Sequence, residues 1–103
     1  MAPPTQYNLT QEIQAELQAK KQRLLELEQQ EANALARMEE LQALENEIQQ
    51  LNTSARKAQE ARHVQNSGMM VEDQVQNQSN ILEGIRKELR SVKDAIAFIS
   101  GGS

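Results

Sequence analysis

The sequence predicts an all-α protein, built as a coiled coil or an elongated helical bundle, and three observations lead to this prediction. The commonest residues are Gln, Glu, Ala and Leu, which are good helix formers because they lose little rotamer freedom in a helix. Residues 9–67 contain neither proline nor glycine. Apolar residues also recur at alternating steps of three and four, which is the spacing of one helix face.

The composition argues against an enzyme. The chain has 103 residues, of which 38% are hydrophobic and 2% aromatic, so there is little material for a globular core. It has no cysteine, and its one histidine, His63, cannot by itself build a histidine metal site. A histidine-assisted triad would have to use this same residue. We therefore expect a protein without catalytic activity, metal or cofactor.

Charge and hydropathy indicate the compartment and the class of partner. The net charge of −4 makes nucleic acid an unlikely partner, because nucleic-acid binding needs a positive surface. The first residues lack the basic start and apolar run of a signal peptide, and no apolar run reaches the ~20 residues that span a bilayer. The absence of cysteine fits a reducing compartment. We expect an intracellular protein, cytoplasmic or nuclear, without a membrane span.

A flexible tail and one long helix are predicted for the first part of the chain. The tail covers residues 1–8, because the prolines at positions 3 and 4 disfavour helix just before them. The helix covers residues 9–65 and is weak or kinked near 52–54, where Asn, Thr and Ser compete for backbone hydrogen bonds. Its seam is predicted to consist of Ile13, Leu17, Leu24, Leu27, Met38, Leu41, Leu44, Ile48 and Leu51.

The seam of this first helix is predicted to change phase near its middle. Leu41 and Leu44 are both apolar, so the residues that follow fit a second frame. Such a discontinuity alters the supercoil locally without breaking the helix.

A stop signal follows at Asn66, Ser67 and Gly68, which together are predicted to form a hinge or a hairpin turn. Glycine suits the left-handed position after a helix. The alternative is a continuous rod with one tolerated glycine, which costs about 1 kcal/mol.

The second helix, over residues 69–100, has the most regular heptad pattern, and residues 101–103 are predicted to be a flexible end. Leu at a positions with β-branched residues at d favours trimers or tetramers. The polar seam residue Gln78 either fixes the register or is tolerated in a half-hydrated layer. The seam consists of Val71, Val75, Gln78, Leu82, Ile85, Leu89, Val92, Ile96 and Ile99.

Charged residues on the second helix suggest contacts with other chains. Glu88 and Lys93 have the spacing of a salt bridge between parallel chains. Arg86, Arg90 and Lys93 share one side of the helix and are either contacts for an acidic partner or an ordinary solvated face.

Two further segments have open interpretations. The cluster of Arg56, Lys57, Arg62 and His63 is either a contact for an acidic partner or a solvated face. The segment 95–99 is apolar all round, with Phe98 outside the seam. It is either a site for partner docking or end-to-end assembly, or it is covered within the bundle.

These patterns predict an oligomerisation or scaffold protein that associates with other helices. A hairpin turning at residues 66–68 leaves about 20 or more residues of the first helix unpaired, so we expect the missing core to come from other chains. The favoured function is a small helical subunit of a hetero-oligomeric complex of cytoskeletal, kinetochore-like or tethering type. The alternatives are a self-assembling homo-oligomer or filament former, and a viral or nucleic-acid-associated accessory factor with a coiled-coil core.

Overall fold

The computed structural model describes residues 4–101, with side chains from Thr10 onward. Three α-helices make up nearly all of this part of the chain, and it contains no strand. They are α1 (Pro4–Gln49), α2 (Thr53–Ser67) and α3 (Val71–Ile99). The all-α prediction is confirmed.

The start of α1 corrects the predicted tail. Helix begins at Pro4, so residues 4–8 are helical, whereas residues 1–3 lie outside the described residues. Proline is well tolerated in the first turn of a helix, because its missing N–H has no helical partner there and its φ is already helical.

The break between α1 and α2 corrects the predicted continuous helix. The amide of Leu51 donates to the carbonyl of Ile48 at 3.2 Å, which tightens the last turn of α1. Asn52 has an extended backbone, and its Oδ1 accepts from the amide of Ala55 at 2.9 Å. Asn52 is therefore the N-cap of α2. The sequence predicted a weak point here because such side chains compete for backbone hydrogen bonds, and in the structure this competition ends α1 and begins α2.

The second break lies where the stop signal predicts it. Asn66 and Ser67 form the last turn of α2, and Gly68 follows with φ 77°. The amide of Gly68 donates to the carbonyl of Val64 at 2.7 Å, which satisfies one of the unpaired carbonyls at the end of α2. The chain therefore turns here, and the continuous-rod alternative is wrong for this segment.

The chain divides into two units, each of which pairs part of α1 with part of α3. Unit 1 comprises Met1–Gln30 with Ile85–Ser103, and unit 2 comprises Glu31–Gly84. In unit 2, a core cluster of Leu41, Ile48 and Val71 joins the end of α1 to the start of α3.

The buried residues of α1 follow one heptad position. The four buried side chains among residues 10–49 are spaced by seven residues: Leu27, Ala34, Leu41 and Ile48. This position is common to the frames before and after Leu41, so the change of phase stays a prediction. Leu44, where the second frame begins, is half-buried and packs against the unit 2 core.

Candidate interaction surfaces

The predicted seam residues are mostly packed within the chain itself. Six are buried: Leu27, Leu41, Ile48, Val71, Leu82 and Leu89. Ten are half-buried: Leu17, Leu24, Met38, Leu44, Val75, Gln78, Ile85, Val92, Ile96 and Ile99. The remaining two, Ile13 and Leu51, are 42% and 38% exposed. Because α1 and α3 cover each other's seam in each unit, burial of these residues does not require a second chain.

The break at residues 50–52 explains why the seam residues pack within the chain although the sequence predicted that other chains would cover them. That prediction assumed one helix up to residue 65 that pairs with the second helix from a turn at Gly68. With α2 a separate helix, the partner of α3 is α1. The stretch of the predicted first helix that lies outside this pairing therefore includes α2, because the structure divides that helix at residues 50–52.

Gln78 lies in unit 2, where its amide bonds to the opposite helix. The Nε2 group donates to the backbone carbonyl of Ala34 at 3.1 Å in a partly buried position. Gln78 follows Gly68 by ten residues, so a tight hairpin at Gly68 would set it opposite Ala58 instead. The hydrogen bond favours the interpretation in which Gln78 fixes the register, because sliding one helix along the other would break it.

An ion-pair cluster in unit 1 was not anticipated from the sequence. The Nε and Nη2 atoms of Arg23 lie 2.8 and 2.7 Å from Oε2 of Glu88. The Nη1 atom of the same side chain donates to Glu26, one turn along α1, at 3.2 Å. Glu88, which the sequence suggested as a partner for Lys93 of a parallel chain, pairs here with its own chain in an antiparallel arrangement.

This cluster raises the pKa of Arg23 above its ordinary value, mainly through the hydrogen bond to Glu88 and then through that to Glu26. A raised arginine pKa stabilises the folded state at every pH below the ordinary value, and the effect disappears only as pH rises through the raised one. Arg23 therefore stays charged across the physiological range. No local pattern pointed to this pair, because the residues are 65 positions apart.

The predicted contacts for an acidic partner on α3 are exposed. Arg86, Arg90 and Lys93 follow one another at steps of four and three on α3, and each has an exposed side chain. Their spacing places them on one helix face, as the sequence indicates. Whether this face meets a partner stays a prediction.

The basic cluster of α2 has a more constrained environment. The Nε atom of Arg56 is inaccessible to solvent and has no hydrogen-bond partner. His63 places its Nε2 atom 2.7 Å from Oε1 of Gln74 on α3, in a partly buried contact. Lys57 and Arg62 are exposed.

Two grooves lie next to these elements, one in each unit. The first, here called the Phe98 groove, belongs to unit 1, has a volume of about 490 Å³ and is lined by Ile13, Glu16, Lys20, Ala95, Phe98 and Ile99. The second, here called the α2 groove, belongs to unit 2, has a volume of about 450 Å³ and is lined by Lys57, Glu60, Ala61, Val64, Gln65 and Met70.

Within residues 4–101, no helix is long and apolar enough to cross a membrane. The same residues contain no group of three or more His, Cys, Asp or Glu side chains arranged to hold a metal ion. Comparison with protein-family models, with curated proteins and with solved structures yields no match.

Proposed function

We propose that this chain is a non-enzymatic assembly protein, a small helical subunit of a hetero-oligomeric complex of cytoskeletal, kinetochore-like or tethering type. In this proposal, the antiparallel pairing of α1 with α3 supports α2, and α2 binds the partner. The cysteine-free composition supports placing the protein inside the cell, in the cytoplasm or the nucleus.

The observation that carries the proposal is the exposure of α2. None of its 15 residues is fully buried, although one face is half-buried within the chain, whereas α1 and α3 both contribute buried side chains to a seam. Isolated helices shorter than about 12–15 residues are marginal in water, and most helical stability comes from packing one face. A partner helix on α2 adds to the partial packing that the chain provides.

Charge indicates the kind of partner. The α2 helix is basic although the chain has a net charge of −4. It contains three cations, Arg56, Lys57 and Arg62, and one acid, Glu60. The α2 groove adds small and apolar side chains, among them Ala61 and Val64, between charged ones. An acidic amphipathic helix fits both features, with its apolar face in the groove and its carboxylates near the cations.

A hydrogen bond connects α2 to α3. His63 Nε2 lies 2.7 Å from Oε1 of Gln74 on α3, so α2 is presented in a defined position.

The test is to isolate the native complex and determine its mass and composition by native mass spectrometry. We expect this chain together with a different protein whose interacting segment is an acidic helix. Ala61→Glu introduces a like charge into the α2 groove and is expected to release the partner. Ala36→Glu, at an exposed position of α1, is the matched control and is expected to retain it.

Other outcomes discriminate between the functions. A native species that contains only this chain would refute the hetero-oligomeric proposal and support a homo-oligomer or filament. Co-purifying nucleic acid, bound with a steep salt dependence, would instead support a nucleic-acid accessory factor. Retention of the partner by Ala61→Glu would show that α2 is not the docking element.

A further inference from the structure

We propose that the Phe98 groove binds the same groove of a second copy of this chain. The two copies associate about a two-fold axis, and each inserts its Phe98 ring into the groove of the other. This contact lies within unit 1 and does not depend on a partner at α2.

The first argument is the exposure of apolar side chains around the groove. Phe98 is 82% exposed, the largest exposed fraction among the large apolar side chains of the described residues. Ile13, on the opposite wall, is 42% exposed although it occupies a seam position. The groove is continuous with the packed seam, because Ile13 and Ile99 both line it and both belong to the heptad frames of their helices. Its volume of about 490 Å³ leaves room for an aromatic ring.

The second argument is the charge around the groove. It carries one acid and one base, Glu16 and Lys20, whose side chains are 60% and 33% exposed. Within the chain, Lys20 Nζ lies 3.7 Å from Glu16 Oε1, which is near the outer limit of an ion pair. A balanced rim does not select a strongly acidic or a strongly basic partner. In the proposed dimer, the two-fold axis sets Glu16 of each copy against Lys20 of the other, which makes the rim self-complementary.

The test begins with analytical ultracentrifugation of the purified full chain over a range of concentrations. We expect a monomer–dimer equilibrium. Phe98→Gln is expected to raise the dimer dissociation constant at least about a hundredfold, about tenfold for each ring lost from the contact. The matched control is Leu25→Gln, at a position of unit 1 that is 63% exposed and outside the groove, and it should leave the constant unchanged.

Charge reversal tests the two-fold arrangement itself. Glu16→Lys sets lysine against lysine at both symmetry-related positions of the contact, and Lys20→Glu sets glutamate against glutamate, so each variant alone is expected to be monomeric. When the two variants are mixed, every lysine faces a glutamate of the other chain, and a dimer containing one copy of each is expected. Both variants lose the same pair within the chain, so circular dichroism checks that both remain equally helical.

Three results would overturn the proposal. One is a wild-type chain that stays monomeric up to millimolar concentration. Another is a Phe98→Gln variant that dimerises as the wild type does, or a Leu25→Gln variant that is impaired to the same degree. The third is a mixture of the charge variants that remains monomeric although each is folded. None of these results bears on the partner at α2, which is tested on the native complex.

Discussion

Truncation of Leu27 tests whether the seam of α1 is packed as described, and a neighbouring leucine supplies the control. Leu27 is 1% exposed and Leu25 is 63% exposed, although the two lie on the same helix two residues apart. Leu27→Ala and Leu25→Ala remove the same atoms and substitute the same strong helix former. Any difference between the two variants therefore measures packing rather than helix propensity.

The expected magnitudes differ by several-fold. Replacing a fully buried leucine by alanine costs about 2–5 kcal/mol, and we expect about 2–3 kcal/mol for Leu27 because a layer of two helices relaxes more easily than a globular core. Substitution of a mostly exposed side chain usually changes stability by less than about 0.5 kcal/mol. Since 1 kcal/mol shifts the Tm of a domain of this size by about 4–8 °C, Leu27→Ala should lower Tm by about 10–20 °C and Leu25→Ala by no more than about 4 °C.

Thermal and urea unfolding followed by far-UV circular dichroism measure both values. The protein concentration is held constant, because association would make Tm depend on it. Equal destabilisation by the two substitutions would refute the assignment of the buried face. A larger effect for Leu25→Ala would show that the helix faces its partner with the opposite side.

Three further predictions follow from the turn, the polar seam residue and the ion pair. Gly68→Ala is expected to destabilise the protein by about 1 kcal/mol in a urea titration. The cost is backbone strain alone, because φ is 77° and no atom lies near the added Cβ. The control Gly84→Ala, within α3 and also free of contacts at the added Cβ, should stabilise by up to about 1 kcal/mol in the same titration. Gln78→Leu should leave the free energy of unfolding within about 1 kcal/mol of the wild-type value, because a buried leucine offsets the lost hydrogen bond. Amide hydrogen exchange in α3 should become faster, because the register is no longer fixed. Unchanged exchange would favour the interpretation in which Gln78 is tolerated in a half-hydrated layer. Arg23→Glu should lower Tm at low salt, and adding Glu88→Arg should restore it. Salt screens exposed charges, so the loss of Tm should shrink at high salt. A loss that persists undiminished at high salt would show that the pair acts by packing instead.

The sequence by itself determined the features that depend on neighbouring residues. Helix-forming composition and heptad spacing determined the all-α class and the seam of α3, all nine positions of which are buried or half-buried. The glycine at position 68 determined a turn, because a left-handed backbone at a helix end suits a residue without a side chain. Asn52 indicated a weak point for the same kind of local reason, although not that the helix would end there.

Only the tertiary structure decided which helix faces which, and in what register. The end of α1 before Asn52 separates α2 from the long helix, and that break sets Gln78 against Ala34 and Arg23 against Glu88. A heptad pattern records that one face of a helix is buried, but any apolar stripe of matching spacing can bury it. The choice between the chain's own α1 and another chain depends on where the turns fall and on contacts between residues far apart in sequence, and the periodicity of the sequence contains neither.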